Sequence, residues 1–226
     1  MAYTIVNRYI PESSYKLKAT YPMVAQYITI HNTANDASAL NEIAYMTRNS
    51  NATSYHVAID DVNAVQAIPF SRNAWHCGDG SGNGNRKSIG IEICYSKSGG
   101  PRYAAAEENA IEYVAHVLNQ KGWGMDRVKW HRDWSGKNCP HRILDEGRAT
   151  SVRNRIAAKL AEIKKTVKEV ATVNKPTNVP SESHRIGWEW AEKKGYMNGD
   201  RPKEGLTREQ FASVMMKIVT DLEKNK

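Results

Sequence analysis

The sequence predicts an α/β domain, with a central mixed β-sheet flanked by helices, followed by a small C-terminal all-α module. Three observations carry this expectation. Short alternating apolar runs are separated by stretches with helical spacing, and a long amphipathic stretch begins near residue 150. A segment rich in breakers, Asn174 to Ser181, then sets off two further amphipathic stretches. The expected division is 1–160 for the main domain, 161–181 for a helical connector and linker, and 182–226 for the small helical module.

Taken in order, Tyr27 to Thr33 alternates and reads as a strand, and Asp36 to Arg48 places Leu40, Ile43, Ala44 and Tyr45 at the spacing of a helical face. Ser54 to Asp60 alternates again, and the turn Asp60-Asp61-Val62-Asn63 leads into Ala64 to Pro69, a hairpin pattern. Residues 71–87 read as a long polar, glycine-rich loop, a candidate groove wall with Trp75 as a flat surface. Ser88 to Cys94 groups Ile89, Ile91 and Ile93 on one side and sets Glu92 on the other. Ala104 to Gln120 carries Ile111, Val114, Ala115 and Leu118 at helical spacing, with Gly122 as its stop. Thr150 and Ser151 are N-cap candidates for a helix striped by Val152, Ile156, Leu160, Ile163, Val167 and Val170. In the tail, Ile186, Trp190 and Ala191 mark one short helix ended by Gly195. Thr207-Arg208-Glu209-Gln210 has the capping-box pattern of another, carrying Phe211, Val214, Met215, Ile218 and Leu222.

Composition narrows the classes. Charged residues at 25% and apolar ones at 40% describe a globular chain. No apolar run approaches the roughly 20 residues of a membrane-spanning helix. The N-terminal Met1 to Arg8 lacks the pattern of a secretory signal. The net charge of +8 is spread along the chain, and no helix-turn-helix, zinc-finger or RNA-binding signature accompanies it, so nucleic acid is not an expected partner. Cys77, Cys94 and Cys139 do not have the spacing of a disulfide framework.

His31 ends the first alternating run, and His131 and Cys139 lie eight residues apart in Val128-Lys129-Trp130-His131 and Lys137-Asn138-Cys139-Pro140. Two imidazoles and a thiolate make a three-ligand set for a zinc ion, leaving the fourth tetrahedral position for water. A rival chemistry makes Cys139 a nucleophile with His131 as base and Asp133 or Glu92 as orienter; it gives His31 no task. The other histidines, His56, His76, His116, His141 and His184, read as ordinary packed or surface residues.

The segments Tyr27 to Thr33, Ser54-Tyr55-His56-Val57, Ser88 to Ile93 and His131 to Pro140 resemble the zinc-dependent N-acetylmuramoyl-L-alanine amidases of the amidase-2 family. That family shares its fold with T7 lysozyme and the peptidoglycan recognition proteins. Asn73 to Gly80 and Cys94 to Gly100 are most similar to endolysins of phages and prophages of Bacillus-type hosts. The resemblance implies one catalytic Zn2+ on His31, His131 and Cys139, with Glu92 as acid/base and Lys137 as the cation near the metal. Tyr55 matches a tyrosine used by members that lack the glutamate. Glu92 is preferred here, because a carboxylate moves a proton near neutral pH more readily than a phenol that titrates near ~10. The implied substrate is bacterial peptidoglycan, cut between N-acetylmuramic acid and the L-alanine of the stem peptide. A recognition module that binds without cutting is the alternative, and the presence of Cys139 favours the enzyme.

The tail has a weaker resemblance, in Trp188 to Gly199 and Leu206 to Ala212, to an S-layer homology motif. It implies attachment to secondary cell-wall polysaccharide through 182–226, while so thin a core also favours self-association. Synthesis in the bacterial host cytoplasm without a signal peptide, then holin- or lysis-dependent release to the Gram-positive cell wall, completes the expectation.

Overall fold

The computed structural model describes residues 3–173, 185–196 and 208–224. The chain divides into two compact units, Met1–Thr166 and Val167–Lys226.

The first unit is built on a six-stranded sheet. Its strands are β1 (Thr4–Asn7), β2 (Tyr27–Asn32), β3 (Val57–Ile59), β4 (Asn63–Gln66), β5 (Ser88–Ile93) and β6 (Val128–Trp130), in the spatial order β1-β4-β3-β5-β2-β6. β3 and β4 form the expected antiparallel hairpin, and the other pairings are parallel. The central strands β2 and β5 are covered on both faces, which is why they carry Ile28, Ile30, Ile89, Ile91 and Ile93 in the core. Around the sheet lie α1 (Tyr15–Lys18), α2 (Ala39–Arg48), α3 (Asn83–Lys87), α4 (Gly100–Lys121), α5 (Arg132–Ser135), α6 (His141–Asp145) and α7 (Ala149–Val173).

Local chemistry sets the helix ends. Ser38 caps α2, its hydroxyl accepting from the Asn41 amide, so the helix starts after the expected Asp36. α4 begins four residues before the expected Ala104, because Pro101 fits the first turn, where an amide is not needed. It stops where Gly122 takes a left-handed φ of 66°. α7 begins at Ala149, so Thr150 and Ser151 occupy its first turn and not the cap. Val152, Ile156 and Leu160 are buried as expected, but Val167 is exposed. α4 and α7 are joined by buried Glu107, which accepts from Tyr103, Arg148 and Arg155.

The second unit contains α8 (Arg185–Lys193) and α9 (Arg208–Lys224) among its described residues. Gly195 has the left-handed φ of 72° expected of the residue that follows a helix. Trp190 is half-exposed, resting on Tyr196 at 5.4 Å between ring centroids. Of the expected α9 stripe, Val214 and Ile218 are half-buried, while Met215 and Leu222 are exposed. Thr207, His184 and the linker 174–181 lie outside the described residues. Among the described residues no helix is long and apolar enough to cross a membrane.

Candidate metal centre and active site

Parallel strands end together at one edge of a sheet, and the loops leaving that edge are where α/β sheets collect their chemistry. Here β2 and β5 place His31 opposite Glu92, so both side chains leave the same face. β6 pairs Trp130 with Ile30, which delivers the next residue, His131, beside His31. Asp133 accepts from the Trp130 amide and holds the start of α5, while Cys139 returns to donate its amide to the Lys137 carbonyl.

His31, His131 and Cys139 are all buried and present ligand atoms within 4.8 Å of one another. The Nδ1 atoms of His31 and His131 are 3.0 Å apart, and Cys139 Sγ lies 3.7 Å from His31 Nδ1. Burial, reinforced by the nearby Lys137 charge, holds both imidazoles below their ordinary pKa and therefore neutral. Burial pushes the Cys139 thiol up to about 12, so a cation is needed to hold it as thiolate. Two neutral imidazoles and a buried thiol, with imidazole nitrogens turned toward each other, fit a zinc ion.

Glu92 is half-buried, and its Oε2 is buried without a hydrogen-bond partner among the described residues. Burial and then the negative charge of Glu42 raise its carboxyl to about 8, against the pull of Lys137. Lys137 is exposed, so its charge reaches the centre from the solvent side. Tyr55 is buried and shares a cavity of about 240 Å³ with Glu92, Glu42, Asn35, Asn49 and Thr53. Burial and the nearby carboxylates hold its phenol protonated. One wall of this cavity is fixed by Lys18, a buried lysine whose ammonium donates to the Asn49 side chain and to the Asn51 and Thr53 carbonyls.

Two participants escaped the sequence reading. Glu42, on α2, was unremarked, and only the fold sets its carboxylate, which accepts from Asn35 and Tyr55, beside Glu92. His76 was read as ordinary, yet it is buried 2.9 Å from His31 Nε2 and forms a second donor group with His31 and Cys77. Its one signal in the sequence is the adjacency of two metal-type donors, His76 and Cys77. The segment expected to be a long polar loop folds inward around Asn85, whose side-chain carbonyl accepts from the His76 and Cys77 amides. Trp75 is half-buried, edge-on to Tyr21. His56 is a core residue, as expected: its Nδ1 accepts from the Gly90 amide and its Nε2 donates to the Arg72 carbonyl.

The family model for N-acetylmuramoyl-L-alanine amidases matches residues 21–142. The chain is similar to the N-acetylmuramoyl-L-alanine amidase CwlA of Bacillus subtilis (strain 168), 57% identical over 190 residues that cover 83% of this chain and 70% of CwlA. XlyB of the same organism is 58% identical over 161 residues, 71% of this chain and 51% of XlyB, so the chain spans about half the length of that relative. Among solved structures, that of PlyL superposes with a TM-score of 0.66 at 50% identity, covering 67% of this chain and 96% of PlyL. The PlyG catalytic domain gives 0.66 at 48% identity, covering 69% and 94%. The family match extends over more than half of the chain and includes the whole donor cluster, and the chain belongs to the N-acetylmuramoyl-L-alanine amidase family of peptidoglycan hydrolases.

Proposed function

We propose that residues 1–160 form a zinc-dependent amidase domain that hydrolyses the amide between N-acetylmuramic acid and the L-alanine of the stem peptide. The observation that carries this reading is the convergence of His31, His131 and Cys139 beside a carboxylate, Glu92, in register on the neighbouring strand. When bound by those three residues, zinc supplies a Lewis acid and lowers the pKa of a water toward ~7. Glu92 accepts the proton of the attacking water and delivers it to the departing alanine nitrogen, a shuttle suited to a carboxyl raised to about 8. Lys137 faces the negative charge that develops on the carbonyl oxygen. Tyr55, protonated at the wall of the cavity, donates a hydrogen bond to substrate and does not act as the base.

The test is mass spectrometry of Gram-positive peptidoglycan digested with and without a zinc chelator. Chelator-sensitive release of stem peptides with a free L-alanine amine, glycan chains intact, is the expected result. Chelator-resistant cleavage would instead support Cys139 as nucleophile, and binding without cleavage by zinc-loaded protein would support a recognition module.

For residues 182–226, beyond the connector at 161–181, we propose attachment to secondary cell-wall polysaccharide. Support comes from a cavity of about 580 Å³ bordered by Lys194, Lys217, Lys224 and Tyr196, with Asp221 the one acidic residue among the described residues of its lining, a setting more cationic than anionic and partly aromatic, suited to an anionic sugar polymer. Sedimentation with walls stripped of those polymers should lose the protein if they hold it, whereas concentration-dependent mass by light scattering would point to self-association. The site of action that follows is the Gram-positive wall, reached after holin- or lysis-dependent release.

A further inference from the structure

We infer that His76 is a positioning residue that fixes the proton of His31 on Nε2 and so turns the Nδ1 lone pair toward the metal. The inference rests on the zinc reading above and follows a chain of hydrogen bonds that begins at a backbone carbonyl. His76 Nε2 lies 3.3 Å from the Ser88 carbonyl, which can only accept, so this nitrogen carries the proton. His76 Nδ1 then carries a lone pair; it sits 2.9 Å from His31 Nε2 and 3.1 Å from Cys77 Sγ, and the imidazole N–H of His31 is the stronger donor of the two facing it. That leaves His31 Nδ1 as a lone pair, and Nδ1 is the atom facing His131 Nδ1 and Cys139 Sγ. A metal-bound imidazole needs such an acceptor on its far nitrogen to keep one tautomer and one ring orientation. His131 is served from the same segment, through a hydrogen bond to the Cys77 backbone.

The packing allows His76 little choice. Its ring lies against the backbone of Gly90, where a Cβ would come within 2.8 Å of the His76 ring. The Asn85 side chain holds its amide, and its ring meets that of His31 edge-on at 83°. The competing use of these atoms is a second ion on His31 Nε2, His76 Nδ1 and Cys77 Sγ. That arrangement would require His31 to lose both ring protons and bridge two ions.

The experiment compares wild type, His76→Ala and His76→Asn. The Asn side-chain oxygen stands near the place of Nδ1 and restores an acceptor. Zinc affinity and stoichiometry are read by competition with a chromophoric chelator, and imidazole tautomers by nitrogen-15 NMR of the zinc-loaded proteins. Expected are one zinc per chain, a single His31 tautomer protonated on Nε2 in wild type, a loss of about 10–100-fold in affinity in His76→Ala, and partial recovery in His76→Asn. Should His76→Ala not fold, His76→Asn still tests the inference through the His31 resonances. Equal affinities with an unchanged His31 tautomer across the folded variants would overturn the inference while leaving the zinc reading intact. Two zinc ions in wild type and one in His76→Ala would overturn it in favour of the second ion. Wild type that binds no zinc would remove both.

Discussion

Two carboxylates in the first unit are drawn out of water and treated in opposite ways. Glu107, between α4 and α7, is met by the Tyr103 hydroxyl at 2.9 Å, by Arg148 at 2.6 and 2.8 Å, and by Arg155 at 3.0 Å. Glu92, at the sheet edge, has a buried oxygen with no hydrogen-bond partner among the described residues and a second carboxylate, Glu42, as its neighbour. Burial with guanidinium partners makes a clasp between helices. Burial without them leaves a group whose proton is poised to move, the condition a general acid/base requires. The difference separates a carboxylate that holds two helices from one that, in the proposed reading, moves a proton.

The largest expected effect sharpens this contrast. Glu92→Gln should lower the rate of stem-peptide release by about 10³-fold while zinc content stays at the wild-type level. Glu107→Gln should leave the rate per folded molecule unchanged. Digestion assays paired with metal analysis check both, and a folded Glu107→Gln protein with a comparable catalytic loss would break the comparison.

Stability should move in the opposite sense. Glu107→Gln weakens charge-assisted hydrogen bonds to arginines that are partly exposed, a cost of about 2 kcal/mol. For Glu92 the sign follows from a folded pKa near 8 against an ordinary carboxyl value near 4.5. The folded state prefers the protonated form, so Glu92 costs the protein nothing below about 4.5 and progressively more as pH rises toward 8. Chelator-treated Glu92→Gln should therefore melt above wild type at pH 9, by the equivalent of about 1–3 kcal/mol, and with it at pH 4. Thermal melts at the two pH values check this, and a Glu92→Gln protein less stable than wild type at pH 9 would assign the residue a structural role.

How far these features were legible in the sequence depends on the length and burial of each segment. β2 and β5 could be read because long central strands must alternate or saturate with isoleucine. β1 escaped because Thr4–Asn7 is a short, largely exposed edge strand, and β6 because Val128–Trp130 is three residues whose partner strand is a hundred residues away. α3 was hidden in Asn83–Lys87 by glycine and asparagine, which signal turns when no contacts are known. At the site, His31, His131, Cys139 and Glu92 stood out within extended motifs, and the fold brings the first three together and sets Glu92 alongside. Glu42 and His76 could not be found that way, since a glutamate on an amphipathic helix and a histidine in a polar loop acquire their neighbours only through tertiary structure.

The smallest expected effect separates the two charges that act on Glu92. Lys137 favours its carboxylate, so Lys137→Met should move the acid limb of the pH–rate profile upward, whereas Glu42→Gln, removing a like charge, should move it downward, each by a few tenths of a unit to about one unit. The two should respond differently to salt. Lys137 is exposed and Glu42 is buried, and the Debye length falls from about 10 Å at 0.1 M to about 3 Å at 1 M ionic strength. Raising the ionic strength should thus shift the wild-type limb upward and shrink the Lys137→Met difference, while the Glu42→Gln difference persists. Profiles of soluble-fragment hydrolysis at low and high salt check this. If both differences faded equally with salt, Glu42 would be acting through solvent, and the cavity beside Glu92 would not be the sheltered environment that sets its proton affinity.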